Sequence, residues 1–341
     1  MWFLQPIRKH VFRGPQCFAQ MSALVAHQAK NTKLVRIATP IDVDINPNTG
    51  KTVSGLTFNI TAFQQLCGAL SAGLYPLLAD VWAKSHLSEL DKKRRFALVL
   101  RASLDSIGKE LVGHRLVVDS QTSEVVGVVG RKYKFVANGE ILGSLTRHFA
   151  ETGTYRSVSA TLNNRDVLLV GVRKTEVKRV VDIEFRQGVA IYNSETTRQA
   201  IYAPQLIFDS ASQTYSMQGQ SESNRMIHRS KKNFAIFLDD LLQGAVKHDS
   251  LLDKVVASQR QLVSQPLCDR SNRPKILTEL AKKLKEREIG ARSIEIVTHA
   301  LTQVDRATHW DLYRSLLLAA SRTLGSDRAI RMTAFHMLIK G

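Results

Sequence analysis

The hydrophobic period of this chain changes once, near residue 222, and that change limits the fold more than any other feature. Before it, apolar side chains form short continuous runs or alternate with polar ones. Residues 167–172 (VLLVGV) are a continuous apolar run, and Val181, Ile183 and Phe185 alternate with Asp182, Glu184 and Arg186. A period of two gives a strand one wet face. Residues 189–192, 200–208 and 215–217 complete the β-rich block. After residue 222 the spacing is helical: Ile227, Phe234, Phe237, Leu241 and Ala245, then Ile276, Leu280 and Leu284, then Trp310, Tyr313, Leu317, Ala320 and Leu324. Strands followed by a run of helices predict an α+β fold, an antiparallel or mixed sheet with a mostly helical C-terminal region, rather than a doubly wound sheet.

Upstream of that block, residues 33–38, 40–45 and 53–60 read as β structure, with a turn at 46–50 (NPNTG). Residues 61–85 read as helix, kinked or divided near Pro76. The stretch 66–83 is the most apolar in the chain, but Gly68, Gly73, Pro76 and Asp80 interrupt it, so no membrane partner is expected. Residues 96–100 (FALVL) read as a short buried strand. Residues 116–118 and 125–129 read as two strands joined by 120–123. Asn138 is placed to cap a helix reaching about Glu151, with Ile141, Leu142, Leu145 and Phe149 on one face. Residues 264–274, with Pro266 and Pro274, read as a linker. The length of 341 residues suits two domains. The division expected is a basic leader (1–20), an α+β domain (21–222) and a helical region (223–341).

Charge narrows the partner. Lys and Arg number 48 against 30 Asp and Glu, a formal net charge of +18. Arg8, Lys9, Arg13, Lys30, Lys33 and Arg36 all precede the first acid, Asp42. A hydrophobic content of 44% excludes a disordered basic tail. The acid-free start resembles an organellar transit peptide, or else lies upstream of a start at Met21. It has no apolar core of secretory length. The protein is therefore expected in the cytoplasm, or in mitochondria if residues 1–20 are a transit peptide. Three cysteines are too few for a disulfide framework or a cysteine-based zinc site, and they fit a reducing compartment. An anionic partner, nucleic acid above all, follows from the charge.

No standard catalytic motif stands out, no cofactor or resident metal is expected, and the balance leans away from an enzyme. Gly50-Lys51-Thr52 lacks the preceding glycine and following helix of a phosphate loop. Asp166, Glu176 and Lys178 have the order of a metal-dependent nuclease signature. If 167–173 and 177–186 form a hairpin, however, Asp166 lies opposite Glu184 and roughly 26 Å from Glu176, at about 3.3 Å per residue. That register instead gathers Asp166, Asp182 and Glu184, candidates for a divalent ion and phosphodiester chemistry. His228, His299 and His309 read as core-edge or surface residues.

The basic clusters are more informative. In Arg131-Lys132-Tyr133-Lys134-Phe135, cations interleave with aromatics, which suits a single strand whose phosphates meet the charges while a base stacks on Tyr133. Arg225, Arg229 and Lys232, with Lys231 beside them, share one face in the first turns of a predicted helix. Cations there oppose the helix dipole unless an anion occupies the site. Arg173, Lys174, Lys178 and Arg179 form a third basic tip at the proposed hairpin turn.

The order of several short features resembles a known family. The segment 127–138 (GVVGRKYKFVAN) is similar to a glycine–tyrosine–asparagine segment of the phage/plasmid-like protein family, a domain of unknown function. Ile191-Tyr192-Asn193-Ser194-Glu195, His228 and His309-Trp310-Asp311-Leu312-Tyr313 resemble its later landmarks. Thr196 and Thr197 stand where the family carries a glycine, and its Cys-x-Asn is missing near residues 210–215. The resemblance implies a mobile-element setting and, by analogy with phage single-strand annealing proteins, binding or annealing of single-stranded DNA in recombination or replication. A homo-oligomer is compatible with that analogy. A metal-dependent nuclease and an organellar RNA-binding protein are the alternatives.

Overall fold

The computed structural model describes residues 4, 9–84, 86–180, 183–196, 200–219, 224–228, 236–237, 239–240, 250–322 and 327–340. The fold is α+β, with N-terminal antiparallel and mixed sheets followed by a mostly helical C-terminal region. No helix among the described residues is long and apolar enough to cross a membrane.

The large sheet starts far upstream of the β-rich block. Strand β1 (Lys9–Arg13) pairs antiparallel with β6 (Tyr155–Asn163), in register Lys9 with Asn163 and Arg13 with Ser159. Then follow β7 (Asp166–Val180), β8 (Ile183–Ser194), β10 (Gln205–Asp209) and β11 (Thr214–Met217). The short β9 (Ile201–Tyr202) sits on β8, and β12 (Arg225–Met226) sits on β9. One face is closed by α1 (Cys17–Asn31) and α5 (Asn138–Thr152), which bury Phe18, Met21, Leu145 and Phe149 against Ala160, Leu169 and Ile191. Gly171 stands under the Phe149 ring, where any side chain would collide with it.

A small sheet in the order β2 (Thr32–Arg36), β4 (Arg115–Asp119), β5 (Glu124–Val129), β3 (Thr57–Phe58) carries its own helical layer. That layer is α2 (Ile60–Leu70), α3 (Leu74–Ala83) and α4 (Glu89–Ile107), packed around Phe58, Phe63, Phe96 and Leu100. In the C-terminal region, α6 (Ser250–Ser264), α7 (Arg273–Glu286), α8 (Ala291–Thr302), α9 (His309–Arg322) and α10 (Asp327–Lys340) enclose Trp310, Tyr313, Leu316 and Phe335. This core reaches the large sheet through Phe185 and Ile207.

Several local expectations give way. Residues 96–100 lie inside α4: Phe96, Leu100 and Leu104 are buried at helical spacing, while Leu98 is 70% exposed, which a fully buried strand does not allow. Residues 40–43 form a 3-10 turn, with Asp42 accepting from the Thr39 backbone, and of 53–60 only Thr57–Phe58 is a strand. The 61–85 helix divides at residues 71–73, before Pro76, and Asn59 caps its first half by accepting from Ala62 N at 2.8 Å. The 46–50 turn is present, closed by an Ile45–Thr52 bridge. Residues 264–274 are no linker: β13 (Pro266–Cys268) pairs with β14 (Ala307–Thr308) inside the helical region. The expected boundary at residue 20 falls within α1, whose Cys17 and Phe18 are core residues, and β12 carries the sheet beyond residue 222. All three cysteines are free and buried.

Candidate nucleic-acid interface

Segments far apart in sequence meet where the small sheet abuts the end of the large one. Arg165, in the turn between β6 and β7, is 1% exposed. Its Nη1 donates to Thr32 Oγ1 at 2.8 Å and lies 3.5 Å from Glu195 Oε2, and its Nη2 donates to Asp119 Oδ2 at 3.2 Å. Glu195 Oε1 accepts from the backbone N–H of Asn138 at 2.7 Å, at the first turn of α5, where a carboxylate complements the helix dipole. Burial pushes the Glu195 carboxyl above its ordinary value, while the Asn138 N–H and Arg165 pull the other way. Asn138 donates to Arg165 O and accepts from Asn193 Nδ2, so its side chain serves this joint instead of capping α5. Gln65 accepts from Val128 N and donates to Thr196 O. Gly127 faces Thr196 so closely that a Cβ would stand 2.5 Å from Thr196 Cβ.

The residues that carry the family resemblance therefore converge. Gly127, Asn138, Asn193, Ser194 and Glu195 are in the joint, and Tyr133 donates to Ser194 O at 2.8 Å with its ring against His228 at 4.8 Å. Trp310 and Tyr313 stack in the separate helical core. The joint holds two sheets together, and a cavity of about 320 Å³ lined in part by Asp119, Asn164 and Arg165 opens beside it.

That geometry corrects the predicted stacking site. Tyr133 is 5% exposed and its hydroxyl is engaged, so no base can lie on it. Around it Arg131, Lys132 and Lys134 are exposed, with Arg131 reaching Glu110 O. The third cluster is dispersed. β7 continues to Val180, which pairs with Ile183, the first residue of β8, so the hairpin does not turn at 174–176. Arg173 is buried beside Tyr155, whose hydroxyl burial raises and Arg173 lowers, and Lys174 is exposed. Lys178 pairs with Asp253 at 3.0 Å and Arg179 with Glu184 at 2.5 Å. Arg225 is exposed, but on strand β12 and not in a helix, so the dipole argument does not apply to it. Arg229, Lys231 and Lys232 lie outside the described residues, as does Asp182.

The proposed carboxylate site also comes apart. Asp166 pairs in register with Ser194, and Glu184 with Arg179, ten residues further along β8. The two carboxylates are thus roughly 30 Å apart at about 3.3 Å per residue. The hydrogen bond from Arg179 holds Glu184 below the ordinary carboxylate range. Among the described residues no group of His, Cys, Asp and Glu is placed to hold a metal ion. His228 is buried against Tyr133, His299 is exposed, and His309 contacts Gln265 O.

A different basic surface appears on the large sheet, on the face away from α1 and α5. Helices α9 and α10 cover its β10–β11 end and leave the β1–β6 end open, forming a groove of about 420 Å³. Lys9, Arg13, Arg156 and Arg331 line it, and no Asp or Glu does among the described residues. Lys9, Val11 and Arg13 alternate onto this face, with Val11 49% exposed between the cations. Across the ladder stand Ser159 and Thr161, and the floor is Leu168 and Phe208. Lys9, Arg13 and Arg156 are exposed, whereas Arg331 is only 7% exposed. Its Nη1 donates to Thr214 Oγ1 and Tyr215 O at 2.8 and 2.7 Å, and its guanidinium lies 4.0 Å over the Tyr215 ring.

The sequence reading missed this groove because it treated residues 1–20 as a leader. The signal was nonetheless present: in KHVFR the strand period puts Lys9, Val11 and Arg13 on one face and His10 and Phe12 on the other, and 155–163 (YRSVSATLN) offers a hydroxyl-rich partner. Nothing in sequence paired the two segments. In comparisons with protein-family models, curated proteins and solved structures, no match was found.

Proposed function

We propose that this chain binds single-stranded nucleic acid, DNA in the first place, with phosphates laid along the open sheet face over Lys9, Arg13 and Arg156. The observation that carries the reading is the groove itself: three exposed cations and one held by the fold converge on a hydroxyl-lined surface that no Asp or Glu among the described residues lines. In a chain of net charge +18, such a surface attracts a polyanion and exchanges its counterions for protein charge. A groove of about 420 Å³ is the size of a nucleotide-scale site, which suits a strand threaded through it. Affinity comes from phosphate contacts, since Tyr133 is enclosed. The recombination or replication setting of mobile elements belongs to the same proposal. It rests on the sequence resemblance of segments 127–138 and 191–195.

A titration of a fluorescent single-stranded oligonucleotide between about 50 and 200 mM salt tests this. With three to four phosphates neutralised, log K should fall against log salt with a slope of about −2 to −3. Combining Lys9→Gln, Arg13→Gln and Arg156→Gln should weaken binding and flatten that slope. Lys178→Gln with Arg179→Gln, which only breaks surface ion pairs, should leave both unchanged. A salt-independent affinity, or a triple variant that binds like the parent, refutes the reading.

A further inference from the structure

The turn between β10 and β11 borders the basic groove. Ser212, Thr214 and Ser321 line it and also line a second cavity of about 390 Å³ on the other side of that turn. This cavity is different in chemistry. Ile183, Val304, Leu317 and Leu318 give it apolar walls, and Asp209, Asp311 and Arg314 stand among them. Asp209 is 2% exposed, and its Oδ1 accepts from the backbone N–H groups of Ala211 and Ser212 at 2.8 and 3.1 Å. Asp311 Oδ2 accepts from Thr308 N and Oγ1, both at 2.8 Å. Both carboxylates are thus fixed in place by turn and cap bonds.

We propose that this cavity receives one base of the strand whose phosphates lie in the groove, and that it selects bases carrying an exocyclic amine over thymine or uracil. The inference rests on the groove reading above. Charge assigns the two compartments: two carboxylates against one arginine repel phosphate, while the adjoining groove attracts it. Apolar walls suit the faces of a heterocycle, and a cavity of this size accommodates one. A carboxylate only accepts hydrogen bonds, so it pairs with the N4 amine of cytosine or the N6 amine of adenine and is opposed by the O4 carbonyl of thymine. Ser212, Thr214 and Ser321 border both compartments, so a base in the cavity would adjoin the phosphates in the groove.

The test compares deoxycytidine and thymidine oligomers of about ten nucleotides, which suit the site sizes of single-strand binders. A deoxyuridine oligomer is run beside them because it lacks thymine's C5-methyl, so a preference for cytidine over both reports the polar edge of the base and not the methyl group. In a mildly alkaline buffer, the cytidine oligomer should bind at least about fivefold more tightly, the lower end expected of a well-formed base contact. Asp311→Asn keeps an oxygen for the Thr308 bonds and should bring the ratio to one or reverse it. Ala300→Phe, which fills the cavity from α8, should also erase the ratio. Equal affinity for the two oligomers, or tighter binding of thymidine, overturns the base pocket. Salt-sensitive binding to both would then leave the groove reading standing, whereas no salt-sensitive binding to either oligomer overturns both.

Discussion

Arg165→Met removes a charge from the joint between the two sheets while keeping most of its volume. The parent guanidinium lies 3.5 Å from Glu195 and 3.2 Å from Asp119, and both Arg165 and Glu195 are 1% exposed. Truncating one partner of a buried pair leaves the other charged and enclosed, which costs about 3–5 kcal/mol. Asp119 is partly exposed and keeps water, so the penalty falls mainly on Glu195. Equilibrium urea unfolding of parent, Arg165→Met, Glu195→Gln and the double variant measures it. Glu195→Gln alone should cost less than Arg165→Met, because Asp119 still pairs with Arg165 and the amide oxygen still accepts from Asn138 N. Added to Arg165→Met it should recover the larger part of the loss. The pH dependence carries a definite sign. Burial raises the folded-state value of Glu195 above its ordinary 4.5, so the native state holds the proton more tightly than the unfolded chain. That contribution is fully present below about 4.5 and is lost as pH rises through the folded-state value. Glu195→Gln should therefore gain relative to the parent as pH rises from about 4.5, and Arg165→Met should lose. An Arg165→Met cost within about 0.5 kcal/mol, typical of an inert surface change, would refute this account, as would a double variant no more stable than Arg165→Met.

Two further outcomes are expected. Leu98→Lys should change stability by no more than about 0.5 kcal/mol, whereas Leu100→Ala should cost about 2–5 kcal/mol in the same unfolding assay. The contrast follows from a helix that exposes the first side chain and buries the second. Tyr133→Phe strips the donor from Ser194 O and should cost about 1 kcal/mol of stability. Its affinity for single-stranded DNA should match the parent, since the ring is enclosed.

What could be read from sequence depended on how far apart the deciding residues lie. The β4–β5 hairpin, the amphipathic α5 and the shift to helix after the β block are local patterns, and each forms as expected. The segment at 96–100 failed because five apolar residues fit a buried strand or a stretch of helix equally well. The longer i, i+4 series through Phe96, Leu100 and Leu104 decided it. The spacing puts the β7–β8 turn at the polar residues 174–176, whereas the ladder shifts register between Val172 and Val177 and resumes. Residues 173–179 extend a strand that carries its wet face beyond the core. Asn138 reads as the cap of α5, but Ala137 takes that position and the Asn138 side chain is drawn to Arg165 O and Asn193. The groove was least legible of all. It needs β1 beside β6, a pairing no local pattern announces, and Arg331 arriving from a helix near the other end of the chain.

That pairing also bears on how the chain is made. Lys9 finds its partner only at Asn163, so during synthesis β1 has no ladder to join until some 150 further residues exist. At typical elongation rates of about 5–20 residues per second, the segment waits roughly 10–30 s. An unpaired strand waiting beside copies of itself on neighbouring ribosomes is a template for mispairing. In an antiparallel self-pair centred on Val11, Lys9 of one copy would face Arg13 of the other. The cations that line the groove would thus oppose one another in such a pair, which disfavours it.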